Sequence, residues 1–133
     1  MVRDTAQRRA LRQVFSEAGR PLSTHEAHQA AQEYVPGLGI ATVYRTVKYL
    51  TESGWLRQVP IPGGATYYEM AGKGVHHYFL CEECERVFDT ACTPESISSI
   101  TPEGFRLRRH EVFLYGRCTE CLDQVGNSAA TRR

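Results

Sequence analysis

Two cysteine pairs, Cys81-x-x-Cys84 and Cys118-x-x-Cys121, constrain this chain more than any other feature. A two-residue gap lets both sulfurs of one knuckle reach a single ion. Two knuckles complete a tetrahedral thiolate shell, which suits a structural zinc. The alternative is a redox dithiol or a pair of disulfides. Neither pair stands before an obvious helix start that would lower a thiol pKa, which argues against redox work. A closed shell leaves no open metal position, so the ion would stabilise folding rather than catalyse. The stretch between the pairs exceeds that of a compact zinc ribbon, which predicts a helix and strands inside it. The odd cysteine, Cys92, reads as a small buried apolar residue.

The chain has 133 residues, enough for one compact domain or two very small ones. Units of that size bury a low fraction of their surface, so a metal staple or a dimer interface is a natural supplement. Net charge is only +1, so its distribution matters more than its sum. Arg3, Arg8, Arg9, Arg12, Arg20, Arg45, Lys48 and Arg57 outnumber Asp4, Glu17, Glu26, Glu33 and Glu52 in the first half. No apolar run is long enough to span a bilayer, and the N-terminus lacks a signal-peptide core. The expected location is the cytoplasm, with no membrane partner. There, clustered cysteines point to metal more often than to disulfides. No nucleophile–base constellation is present, so neither an enzyme nor a small organic substrate is expected.

Apolar periodicity divides the chain into two patterns. Leu11, Val14, Phe15 and Ala18 predict a helix from about Thr5 to Ala18, closed by Gly19. Ser23-Thr24-His25-Glu26 is a capping-box pattern for a second helix that ends before Pro36. Val43, Val47 and Leu50 stripe a third helix from Ala41 to Ser53, with Gly54 as its stop. Trp55 to Val59 and Ala65 to Glu69 read as a hairpin around Pro60-Ile61-Pro62-Gly63-Gly64. Three helices and a hairpin make a winged helix-turn-helix over residues 1–70, followed by a linker at 71–74. Residues 75–125 read as a second, α/β unit. Its expected elements are strands at Tyr78–Leu80, Val87–Phe88, Phe105–Arg108 and Glu111–Tyr115. A short helix starts at Thr93-Pro94-Glu95 and ends near Thr101. Residues 126–133 are small and polar and read as a disordered tail. The fold class is therefore α+β.

The third helix would enter the major groove of double-stranded DNA. Arg45 can donate to guanine or to a phosphate. Tyr44 can meet thymine methyls or a phosphate, while Thr42 and Lys48 suit backbone contacts that position without specifying. Arg3 could reach a minor groove as an arm. For each charge alone the ordinary alternative is a solvated surface.

These residues match a family. Thr5-Ala6-Gln7-Arg8, Gly39-Ile40-Ala41-Thr42-Val43-Tyr44-Arg45, His76-His77-Tyr78-Phe79-Leu80-Cys81-Glu82-Glu83-Cys84, and His110 through Leu114-Tyr115-Gly116-Arg117-Cys118 to Cys121 resemble the ferric uptake regulator (Fur) family of metal-dependent repressors. The stretches span nearly the whole chain in the family's order. The resemblance implies an N-terminal winged-helix domain and a C-terminal α/β dimerisation domain. It further implies a homodimer that binds palindromic operators when a regulatory metal is bound. It places the family's recognition tyrosine and arginine on Tyr44 and Arg45, its minor-groove base on Arg3, and its structural zinc on Cys81, Cys84, Cys118 and Cys121.

The same resemblance maps a regulatory site onto Glu69, His76 and Asp89, with Pro21 and Tyr78 standing where two family histidines belong. Three ligands of nitrogen and oxygen type hold a divalent ion more weakly than five. His25 and His28, spaced to share a helix face, are the candidates to replace the missing histidine. A second family site would use His77, Glu95 and His110, with Val75 in place of its usual first histidine. Glu69 stands where zinc sensors carry a cysteine, and Pro21 removes a histidine that peroxide sensors oxidise. Iron or manganese is thus the expected regulatory ion. Peroxide or zinc sensing, and a metal-independent zinc-stapled repressor, stay open as alternatives.

Overall fold

The computed structural model describes residues 5–74, 76–91 and 93–128. Arg3, Cys92 and the last five residues of the expected tail therefore lie outside the described residues. The chain divides into two units, Met1–Lys73 and Gly74–Arg133.

In the first unit the Thr5 hydroxyl accepts from the Arg8 N–H at 3.1 Å and starts α1, Ala6–Ala18. Ala10, Leu11, Val14 and Phe15 are its buried stripe. Gly19 ends it at φ 65°, a left-handed conformation that costs glycine little. Strand β1, Leu22–Ser23, leads directly into α2, Thr24–Ala31. The Ser23 side chain accepts from the Glu26 N–H at 3.1 Å, and Glu26 accepts from the Ser23 N–H at 3.0 Å. The expected capping box is present in full. Helix α3, Ile40–Glu52, buries Val43, Thr46, Val47 and Leu50.

Strands β2, Leu56–Val59, and β3, Tyr67–Met70, pair antiparallel, with Arg57 opposite Glu69 and Gln58 opposite Tyr68. The sheet order is β1-β3-β2, so the hairpin gains a short third strand. One core cluster joins Leu11, Phe15, Ala27, Val43, Leu50 and Leu56. Each large apolar side chain buried there contributes about 1.5–3 kcal/mol. This unit is a winged helix-turn-helix.

The second unit is built on β4, His77–Cys81, β5, Val87–Thr90, and β6, Phe113–Gly116, in the order β5-β4-β6. β4 pairs antiparallel with β5 and parallel with β6. A parallel neighbour requires a crossover, and the segment carrying α4, Pro94–Ser98, supplies it. Thr93 caps α4, with Pro94 at its first turn as expected. Helix α5, Thr119–Ser128, follows β6.

Three expectations need correction. Phe105 to Arg108 forms no strand; Phe105 is 71% exposed and finds no sheet partner among the described residues. Helix α5 was not expected, and it includes positions 126–128 of the supposed tail. Strand β1 was not expected either. Among the described residues, no helix is long and apolar enough to cross a membrane.

Candidate metal centres and nucleic-acid interface

The four paired cysteines converge in the second unit. Cys81 ends β4, and the chain turns back through Glu85, whose N–H donates to the Cys81 carbonyl at 2.8 Å. Among the described residues, Glu85 is the non-glycine residue held at positive φ, 66°. The second knuckle follows β6. The Gly116 carbonyl accepts from the Glu82 N–H at 2.7 Å and fastens one knuckle to the other. Cys118 stands directly before α5, and Cys121 lies in its first turn.

Cys81 Sγ is 3.7 Å from Cys121 Sγ, and Cys84 Sγ is 3.8 Å from Cys118 Sγ. A tetrahedron with metal–sulfur bonds of about 2.3 Å has edges of about 3.8 Å. A disulfide needs about 2.05 Å. The four sulfurs therefore fit a structural zinc.

Burial opposes ionisation of Cys81, but backbone N–H groups of Cys84, Cys118 and Glu83 outweigh it and bring the thiol down to about 6. Cys84 N and Cys118 N lie 3.4 and 3.3 Å from its sulfur. Cys121 goes the other way, to about 12, because burial and then the neighbouring sulfurs disfavour another charge. That opposition is what a cation resolves, since a bound ion deprotonates its thiol ligands. One argument from the sequence fails: a helix does begin at the second pair. A helix start at that position is compatible with zinc as well as with redox chemistry. The convergence of all four sulfurs decides between them.

The candidate regulatory residues belong to both units. In the first, Glu69 is 1% exposed and pairs with Arg57 at 2.8 Å and Lys73 at 3.6 Å. In the second, His76 Nε2 lies 3.4 Å from Asp89 Oδ1, while His76 Nδ1 is 2.8 Å from the Gly74 carbonyl. That carbonyl fixes the ring and leaves Nε2 directed at the acid.

His28 Nε2 is 2.7 Å from the Leu38 carbonyl, so this histidine ties α2 to the loop before α3. His25 is exposed and edges the Tyr44 ring at 6.3 Å. His77 and His110 are brought together, with ring centroids 4.9 Å apart. His77 is buried and its Nε2 has no hydrogen-bond partner. Burial first, then the neighbouring His110 and His76, hold its pKa below 6.5. Glu95 is exposed on the first turn of α4. Among the described residues it forms no three-ligand group with those histidines.

On α3 the buried stripe leaves Tyr44, Arg45 and Lys48 exposed. Arg45 donates to the Thr42 hydroxyl at 3.1 Å. Tyr44, Arg45 and Lys48 line an open cavity of about 520 Å³, which also takes in Gln58 and Tyr68 from the hairpin. The last two were not expected; only the strand register, Gln58 opposite Tyr68, aligns them with the helix. Arg86 was also missed: its Nε donates to Cys84 Sγ at 3.1 Å. No residue spacing marks that contact in advance.

A sequence model of the ferric uptake regulator family matches residues 1–115. The ferric uptake regulation protein of Campylobacter jejuni is 29% identical over 125 residues, covering 90% of this chain and 80% of its own. The protein of the same name from Cupriavidus metallidurans is 30% identical over 105 residues, covering 76% of this chain and 73% of its own. Among solved structures, a zinc-bound manganese uptake regulator aligns with a TM-score of 0.78 at 26% identity, over 88% of this chain and 91% of that one. With a winged helix, a four-cysteine knuckle pair and a family match over most of its length, the chain belongs to the ferric uptake regulator family.

Proposed function

We propose that this chain is a metal-responsive transcriptional regulator of the cytoplasm that represses by binding double-stranded DNA as a homodimer. The observation that carries the reading is the division of α3. One face is locked into the core through Val43, Val47 and Leu50, while Tyr44, Arg45 and Lys48 stand clear. A rigid helix with a free polar and aromatic face is what major-groove reading requires. Thr42 orients Arg45, and Arg3 would extend the contact as an arm.

Residues 1–70 are assigned to DNA reading, 71–74 to the linker and 75–125 to dimerisation. The second unit supports that assignment. β6 is an edge strand of its sheet, with Leu114 and Tyr115 exposed upon it. Ile100, Phe105 and Leu107 are exposed nearby in sequence. Edge strands and apolar surface of this kind invite a second copy.

The regulatory ion, iron or manganese, would be held by Glu69, His76 and Asp89. His25 is favoured over His28 as the added ligand, because the Leu38 carbonyl already engages His28. His77 and His110, with Glu95, make the lesser second site. The ion would favour the arrangement that sets two recognition helices about 34–36 Å apart, on successive major grooves. These residues bind and orient the ion; they perform no covalent chemistry.

One observation favours a second reading, a metal-independent repressor on the same fold. Glu69 is already paired with Arg57 and Lys73. An acid with cationic partners does not need a metal to be stable when buried.

The DNA reading is tested by selecting palindromes from a random duplex pool with the zinc-loaded protein in the presence of added manganese or ferrous iron, then measuring Tyr44→Ala with Arg45→Ala under the same conditions. A specific palindrome should emerge and the double variant should lose its affinity. No selected sequence, or affinity unchanged in the variant, would refute DNA reading by α3.

A further inference from the structure

Arg86 stands just before β5 and just after the first knuckle. Its Nε donates to Cys84 Sγ at 3.1 Å. Its Nη2 donates to the carboxylate of Glu120, which lies on α5 between Cys118 and Cys121. One guanidinium therefore joins the first knuckle to the helix that carries the second.

The sulfurs are not equivalent. Cys81, Cys118 and Cys121 are buried, whereas Cys84 is half-buried. Cys81 is served by two backbone N–H donors. Cys84 is served by a cation. Four thiolates around a divalent ion leave two negative charges, and buried charge requires donors or counter-charge. A guanidinium donating to a thiolate withdraws electron density from the sulfur and makes it a weaker nucleophile. The planar fork can hold Cys84 and Glu120 together, which a lysine ammonium does less well.

We infer that Arg86 is a positioning residue that clamps Cys84 onto the zinc and shields it from electrophiles. The centre is thereby kept slow to react at its least buried cysteine. Glu120 is the second half of the clamp.

The test uses the zinc-loaded full-length protein and N-ethylmaleimide. The Cys84 sulfur would attack the alkene carbon and form a C–S bond. The alkene electron pair moves to the adjacent carbon, which takes a proton from water, and nothing is oxidised or reduced. Zinc release is followed with a coloured chelator, and the first adduct is located by peptide mass spectrometry. Arg86→Ala should release zinc on the order of tenfold faster, the usual scale for loss of a residue that supports a metal ligand. Arg86→Lys should fall between it and the wild type, Glu120→Gln should show a smaller acceleration, and among the four zinc ligands Cys84 should carry the first adduct throughout, adducts on the non-ligand Cys92 being set aside. Circular dichroism checks folding. If Arg86→Ala does not fold, the other two variants carry the comparison. Release at the wild-type rate in the folded variants, or a first adduct among the four zinc ligands on a cysteine other than Cys84, would overturn the clamp. A wild type that holds no zinc would overturn the centre and the clamp together.

Discussion

Arg57 and Glu69 face each other across the β2–β3 hairpin, with Arg57 Nη2 2.8 Å from Glu69 Oε2. The register alone brings them together. Glu69 is 1% exposed while the Arg57 side chain is 47% exposed, so the acid is committed to the interior and its partner reaches in from solvent. A carboxylate so placed is costly unless it is compensated. Removing Arg57 leaves Glu69 with Lys73 at 3.6 Å. Arg57→Ala should therefore destabilise the protein by about 1–3 kcal/mol in urea titration. Glu69→Gln should cost no more than that, since the amide keeps the shape and needs no cation. Unchanged stability in Arg57→Ala would show that Lys73 and solvent already suffice.

Glu85 pays a conformational cost at φ 66°. The left-handed region disfavours side chains by roughly 1–2 kcal/mol, and glycine avoids that penalty. Glu85→Gly should stabilise the zinc-loaded protein by about 1 kcal/mol, after the greater freedom of glycine in the unfolded chain is set against the relief. A lower urea midpoint would mean that the contacts Glu85 makes outweigh its backbone strain.

Tyr34 and Glu17 connect the turn after α2 to α1 through a phenol–carboxylate hydrogen bond. The Tyr34 hydroxyl first, and the Gln13 amide second, hold Glu17 below the ordinary value of 4.5. A depressed carboxylate stabilises the fold above that pH, and the contribution fades as pH falls through the lowered folded value. Because the pair is exposed to solvent, the effect on stability should be small. Tyr34→Phe should move the Glu17 carboxyl titration, followed by NMR, upward toward 4.5. No movement would show that the hydroxyl does not contact the carboxylate in solution.

Much of the first unit was legible because its signals are local. Val43, Val47 and Leu50 fall at helical spacing, and Gly54 at φ 88° takes the stop position predicted for it. Ser23 and Glu26 announced their own capping box. Strand β1 was not legible, since Leu22 and Ser23 are too few to show alternation and exist as a strand only by pairing with Tyr68 and Tyr67. Phe105 to Arg108 erred in the opposite direction. The alternation is real, but a strand also requires a partner, and it has none among the described residues.

The zinc centre was legible as spacing, and its surroundings were not. Helix α5 hides its period because buried Cys121 adjoins exposed Leu122, and the cysteines were read as a knuckle only. Arg86 reaches Cys84 from two residues away, but its hold on Glu120 depends on β6 and α5 bringing the second knuckle alongside. Likewise His28 looked like a ligand from spacing, while the Leu38 carbonyl that engages it arrives from the loop before α3. Side-chain chemistry could be read from the sequence; the competing partners could not.

The central claim is that a second metal, distinct from the cysteine-bound zinc, controls DNA affinity. It is tested most directly by fluorescence anisotropy on the selected palindrome. Zinc content is verified, and manganese or ferrous iron is then added to one sample and a mild chelator to the other. The account predicts tighter binding with the added ion, on the order of a hundredfold for a coupling of about 3 kcal/mol. It also predicts that His76→Ala and Glu69→Gln lose the difference while retaining their zinc. Equal affinity with metal and with chelator, while zinc remains bound, would contradict it and leave the metal-independent repressor.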